Sequence, residues 1–129
     1  MKNKVICVTG GSGFIASHLI KALKKENPKE IINLDLKTGY NLTEYRELEV
    51  FFELHKVDIV FDLATLPLPF SLKQPYKVVN DCVKMILNLC ELQRLGAFGR
   101  LVHMSSSEAY GNFLSKKKFV CKCGYTEVE

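Results

Sequence analysis

The chain alternates short apolar runs with longer stretches in which apolar residues recur every three or four positions. Val5 to Val8 is the first run, rich in β-branched residues as a buried strand is. From Ser12 to about Glu26, the residues Phe14, Ile15, Leu19 and Leu23 repeat near the helical period. Asn27-Pro28 stops that helix, because proline lacks the N–H and clashes with the preceding turn. Glu30 to Leu36 predicts a second strand. Glu44 to His55 predicts a second helix, with Thr43 as N-cap and Leu48, Phe51, Phe52 and Leu54 as apolar positions. Val57 to Ala64 predicts a third strand, interrupted by Asp58 and Asp62. Thr65 to Gln74 carries Pro67 and Pro69 and reads as irregular. Pro75 to about Leu95 predicts a third helix, with Pro75 in its first turn and Gly96 past its end. Val79, Val83, Ile86, Leu87 and Leu89 are available for its buried face. Arg100 to Met104 is the fourth strand. Strands alternating with helices in this way predict an α/β fold: a doubly wound parallel sheet of about four strands with helices on both faces.

Three glycines change this outline into a proposal about chemistry. Gly10, Gly11 and Gly13 stand directly between the first strand and the first helix. Gly11, Gly13 and Ala16 fit the spacing G-x-G-x-x-G/A, and Gly10, Gly13 and Ala16 fit the related G-x-x-G-x-x-G/A. A diphosphate rests on free backbone N–H groups at a helix N-terminus, and side chains in the turn would hold it off. Asp35 ends the second strand about 20 residues further on, where a carboxylate reaches the hydroxyls of an adenosine ribose. An aspartate there favours NAD, since a 2′-phosphate would face its charge; Lys37 stands nearby. The plain alternatives are a structural glycine turn and a solvated carboxylate at a strand end.

Composition narrows the partners. The 129 residues suffice for one domain with a real core, at 47% apolar and 25% charged. The net charge of +4 is modest, and basic residues are mixed with acids until residue 116, so no nucleic-acid partner is expected. No apolar run approaches a membrane span, and Lys2 and Lys4 are followed by too few apolar residues for a signal peptide. Five cysteines, Cys7, Cys82, Cys90, Cys121 and Cys123, are an odd number and predict reduced thiols in a cytoplasmic protein. Cys121-x-Cys123 has no second pair to complete a site, so no metal is expected. His18 reads as a partly buried helix histidine, and His55 as a complement to a helix dipole. Residues 112–129 change character and read as a tail, with Lys116 to Lys118 a solvated charge run and Phe119 to Cys121 a candidate short strand.

Four segments in order carry a family resemblance: Thr9 to Leu19, Asp35, Leu63-Ala64, and Ser105 to Gly111. Together they resemble the NAD-dependent epimerase/dehydratase family, the extended short-chain dehydrogenases that act on nucleotide sugars, over residues 4–111. The resemblance implies a Rossmann domain over residues 1–111, NAD as cofactor, and a separate C-terminal substrate region. By position, Gly10, Gly13, Phe14 and Ile15 match the phosphate turn, and Asp35 the ribose acid. Asn41-Leu42 stands where the family often has an Asp-Ile pair beside the adenine, with the Asn41 amide an acceptor for the adenine amine. Leu63 and Ala64 match residues lining the cofactor, Asn80 one supporting the nicotinamide side, and Ser105 the start of the serine segment at the cofactor. Ser106 matches the catalytic Ser/Thr. Glu108 brings the segment close to the Ser-Thr-x-Glu-Val-Tyr-Gly of the dehydratase and decarboxylase branches, where the acid is available as a base at the sugar; otherwise it is a loop acid or a capping partner.

The family also uses a tyrosine followed four residues later by a lysine. Here Tyr40, Tyr45, Tyr76, Tyr110 and Tyr125 are followed at that distance by Glu44, Glu49, Asn80, Leu114 and Glu129. The family places that pair beyond the serine segment, past the end of this chain. The expectation is therefore the cofactor-binding portion of such an enzyme, truncated and inactive alone, meeting a nucleotide sugar only when a C-terminal half is supplied. The alternative is a non-catalytic dinucleotide-binding or sensor module. A fourth strand without its next neighbour leaves an open edge, so self-association is expected.

Overall fold

The computed structural model describes residues 1–106 and Ala109. The strands are β1 (Val5–Thr9), β2 (Glu30–Leu34), β3 (Val57–Asp62) and β4 (Phe98–His103). The helices are α1 (Phe14–Lys25), α2 (Tyr45–Leu54), α3 (Leu68–Lys73) and α4 (Pro75–Arg94), and a 3-10 turn spans Leu36–Thr38. All strand pairs are parallel, in the order β2-β1-β3-β4. The chain leaves β1 toward one edge and returns to β3 on the other side of β1. That reversal opens a crevice at the carboxyl ends of β1 and β3, where open α/β sheets take their ligands.

Every residue of β1 is buried, because helices cover both faces of the sheet there. Ile6 and Val8 pack with Ala16 and Leu23 of α1 on one face. Val5 and Cys7 pack on the other with Leu48, Phe51 and Phe52 of α2, Leu89 and Leu92 of α4, and Phe98. Each fully buried aliphatic or aromatic side chain contributes about 1.5–3 kcal/mol, so this double-sided core fixes the strand ends that carry the site. At the edge, Phe98 is the one buried residue of β4.

Several local expectations are corrected. Thr65–Gln74 is not irregular throughout, since it contains α3. Pro67 is its N-cap and Pro69 lies in its first turn, where no N–H is needed, so the prolines start this helix instead of breaking it. The N-cap of α2 is Glu44, not Thr43; the Thr43 hydroxyl instead donates to Asn41 Oδ1 at 3.0 Å. On α4, Leu89 is buried and Ile86 half-buried, but Val79, Val83 and Leu87 are 64%, 49% and 59% exposed. Helix α4 has two apolar stripes, and the one through Met85, Leu89 and Leu92 packs into the core beneath the sheet. β3 ends at Asp62 and β4 begins at Phe98. His18 is exposed, with Nδ1 3.0 Å from the Phe14 carbonyl oxygen. His55 caps the end of α2 and lies 4.6 Å from the Phe51 ring. Cys7, Cys82 and Cys90 are free thiols, while Cys121, Cys123 and the Phe119–Cys121 segment lie outside the described residues. Among the described residues no helix is long and apolar enough to cross a membrane, and no cluster of three His, Cys, Asp or Glu could hold a metal ion.

Candidate functional site

The crevice at the strand ends has a volume of about 1300 Å³. Its floor is the glycine turn. Gly10 has φ +60°, and a Cβ there would lie 2.9 Å from Ala64 Cα, so the turn presses on the chain leaving β3. A Cβ on Gly11 would strike the Asn33 side chain, and one on Gly13 would come within 3.0 Å of the Gly10 carbonyl oxygen. The Gly13 N–H donates to that same oxygen at 2.8 Å, which closes the turn. Gly13 is the N-cap of α1, no side chain caps the helix, and its first turn holds no acid. The N–H groups of a first helical turn have no partner within the helix. Phe14 and Ile15, although apolar, are exposed at this end and line the crevice. The backbone there is open to an anion.

Asp35 sits beside the turn. One carboxylate oxygen accepts the Ser12 N–H at 3.2 Å and the other accepts the Lys37 N–H at 2.8 Å. A carboxylate has about four acceptor positions, so capacity remains for ribose hydroxyls. Thr38 completes a capping box around Asp35 and fixes its rotamer. The Asn33 amide donates to Ser12 Oγ at 3.1 Å, tying β2 to the turn a second time.

On the far side, Thr9 organises the ends of β1 and β3. Its hydroxyl oxygen accepts the N–H groups of Leu63 and Ala64 at 3.1 and 3.2 Å and its proton goes to the Asp62 carboxylate. Asp62 is buried, and its other carboxylate oxygen lies 2.8 Å from His103 Nδ1. Burial, and then the charge of Asp62, push the thiol of Cys7 from 9.0 up to about 12, which leaves it protonated and inert.

The crevice brings together Gly10, Gly13, Phe14, Ile15, Asp35, Asn41, Leu42, Leu63, Ala64, Ser105 and Ser106. Asn41 does not offer the acceptor expected of it: its Oδ1 already takes the N–H and the hydroxyl of Thr43 at 3.1 and 3.0 Å. Leu42 is buried, and its carbonyl oxygen accepts from Asn88 of α4 at 2.9 Å, which holds this loop against the helix. Asn80 is exposed on α4 and is not among the crevice residues. Ser105 and Ser106 are exposed just past β4. Glu108 lies outside the described residues. The sequence assigns no site role to Thr9, Asn33, Asp62, Asn88 or His103; the only signal is Asp62, a charge inside an apolar run.

A four-stranded parallel sheet in the order β2-β1-β3-β4, with a glycine turn between β1 and α1, defines a Rossmann-like α/β fold. Residues 6–127 match the NAD dependent epimerase/dehydratase family, and the chain belongs to that family. The match runs past Gly111 into the segment read above as a tail. Among similar proteins, dTDP-D-glucose 4,6-dehydratase of Homo sapiens is 30% identical over 139 residues, covering 88% of this chain and 39% of the relative. UDP-glucuronic acid decarboxylase 6 of Arabidopsis thaliana is 34% identical over 124 residues, covering 85% and 36%. The fold is similar to UDP-glucose 4-epimerase of Thermotoga maritima, solved with UDP-glucose, at TM-score 0.76 and 23% identity over 95% of this chain and 44% of that one. It is also similar to the epimerase of Bifidobacterium longum, solved with NAD+ and UDP, at TM-score 0.71 and 22% identity over 83% and 38%. The chain thus spans less than half the length of the relatives it matches, and is related to nucleotide-sugar epimerases, dehydratases and decarboxylases over their N-terminal part.

Proposed function

We propose that this chain binds NAD in the crevice and is the cofactor-binding portion of a nucleotide-sugar-modifying enzyme, with the dehydratase or decarboxylase branch favoured over the epimerases. The observation that supports this reading most is the Ser12 N–H bonded to Asp35 at 3.2 Å, which ties the glycine turn to the carboxylate after β2. The first turn of α1 would take the diphosphate, Asp35 the adenosine ribose, and the Asn41 side-chain amide an adenine ring nitrogen. Leu63 and Ala64 would lie along the cofactor as it crosses β3. NAD, when bound, supplies a hydride acceptor. Ser106 would contact a sugar hydroxyl and Glu108 would serve as a base at the sugar. Identities of 30–34% to a dehydratase and a decarboxylase support the branch.

No Tyr-x-x-x-Lys pair is present in this sequence. A missing general base costs on the order of 10²–10⁴ in rate, so this chain by itself would turn over little or no nucleotide sugar. The second reading is a non-catalytic module that reports NAD to a partner. Free thiols at Cys7, Cys82 and Cys90 support a reducing, cytoplasmic setting. The position of β4 at the sheet edge supports self-association.

Titration calorimetry with NAD on the native chain and on Asp35→Ala tests the cofactor site. Loss of two charge-assisted hydrogen bonds to ribose should weaken binding about tenfold or more; equal affinity removes Asp35 from the site. Turnover of dTDP-glucose or UDP-glucuronic acid when a relative's C-terminal half is added, and none without it, would separate the enzyme reading from the sensor.

A further inference from the structure

Asp62 and His103 are paired across β3 and β4, and both line the crevice. Asp62 is only 3% exposed, and its ion-pair partner among the described residues is His103. Counting donors orients the pair. Thr9 Oγ1 takes two backbone N–H groups, from Leu63 and Ala64, so its own proton goes to Asp62 Oδ1. The ionised Asp62 is acceptor-only, so the contact between its Oδ2 and His103 Nδ1 at 2.8 Å requires a proton on Nδ1. Nε2 is then the ring nitrogen turned away from Asp62, accepting in the neutral imidazole and donating in the imidazolium, in a ring whose orientation is fixed by a buried carboxylate. The His103 side chain is 47% exposed, so this nitrogen is reachable.

The sheet order says what would meet it. Asp35 follows β2 and the glycine turn follows β1, so a dinucleotide with its adenosine at Asp35 runs its second half over β3 and β4. Three strand spacings separate β2 from β4, about 14 Å. We propose that His103, positioned by Asp62, binds the second nucleoside through a hydrogen bond between Nε2 and a ribose hydroxyl. This rests on the NAD reading given above. Asp62 is the positioning residue, and His103 touches the ligand.

The test is calorimetric titration with ADP, ADP-ribose and NAD. In His103→Asn the shorter amide can still donate to Asp62 but nothing reaches the ligand. In His103→Gln the side chain reaches the place of Nε2. The Asn variant should bind ADP-ribose and NAD about fivefold more weakly, the usual effect of one neutral hydrogen bond, with ADP affinity and thermal midpoint unchanged. The Gln variant should recover most of the loss. In ¹⁵N spectra of the native chain, the His103 Nε2 resonance should move with ADP-ribose and stay with ADP. Unchanged ADP-ribose and NAD affinity in His103→Asn overturns the proposal, as does an equal loss for ADP, which would mark a structural latch. A loss confined to NAD overturns the ribose contact in favour of the nicotinamide. A native chain that binds none of the three overturns the dinucleotide reading, and this proposal with it.

Discussion

Replacing Gly10 by alanine perturbs the site at its tightest point. Two costs add. The backbone at φ +60° is left-handed, which costs an L-residue about 1–2 kcal/mol. The new methyl would also lie 2.9 Å from Ala64 Cα and 3.1 Å from both Ala64 N and the Leu63 carbonyl oxygen. These are backbone atoms and cannot rotate aside. Moving them strains the two N–H bonds to Thr9, at 3.1 and 3.2 Å, each contributing about 1 kcal/mol. The expected loss is about 2–4 kcal/mol. Gly96→Ala is the matched control: its φ is +80° and no atom lies within 4 Å of the added methyl, so only the conformational cost applies. Urea unfolding at constant m-value measures both losses. Gly10→Ala should exceed Gly96→Ala by about 1–2 kcal/mol, and its NAD affinity should fall as the end of β3 shifts. Equal losses at the two positions would refute the close approach of turn and strand.

Thr9→Val removes the acceptor for Leu63 and Ala64 and a donor to the buried Asp62 carboxylate; a loss of about 2–4 kcal/mol in the same assay is expected, and a loss below about 0.5 kcal/mol would contradict the network. The Cys7 thiol stays protonated in the fold up to about pH 12 but ionises above 9.0 when unfolded, so its stabilising effect is whole below pH 9 and is lost as pH rises. Relative to Cys7→Ala, unfolding free energy should fall by about 1.4 kcal/mol per pH unit in that window, and a parallel pair of pH profiles would contradict the buried thiol. Among the described residues β4 is at the edge of the sheet, and light scattering at tens of micromolar should show dimers or larger species if that edge pairs, whereas a clean monomer counts against edge pairing.

Features legible in the sequence were those written in neighbouring residues. The β-branched run before Gly10, the glycine spacing and Asp35 after an apolar strand are local patterns, and the crevice assembles them. Features that depend on a choice between alternatives were not. Helix α4 has two apolar stripes, and periodicity alone does not say that Leu89 and Leu92 meet the sheet while Val79, Val83 and Leu87 face outward. Pro67 and Pro69 break a helix or start one according to position, and they start α3. The Asn41 carbonyl is consumed by Thr43 two residues away, a turn formed by side chains that no hydropathy pattern reports. The Asp62–His103 pair joins residues far apart in the chain and needs the β3–β4 register before it can be seen.

The most direct measurement is a set of ¹H–¹⁵N spectra recorded while NAD is added to the chain. The amide signals of Ser12, Gly13, Phe14, Ile15 and Lys37 should shift together and saturate, because the diphosphate meets the start of α1 and the ribose meets Asp35. Spectra that do not change, or shifts confined to residues away from the ends of β1 and β2, would contradict a dinucleotide seated on this turn.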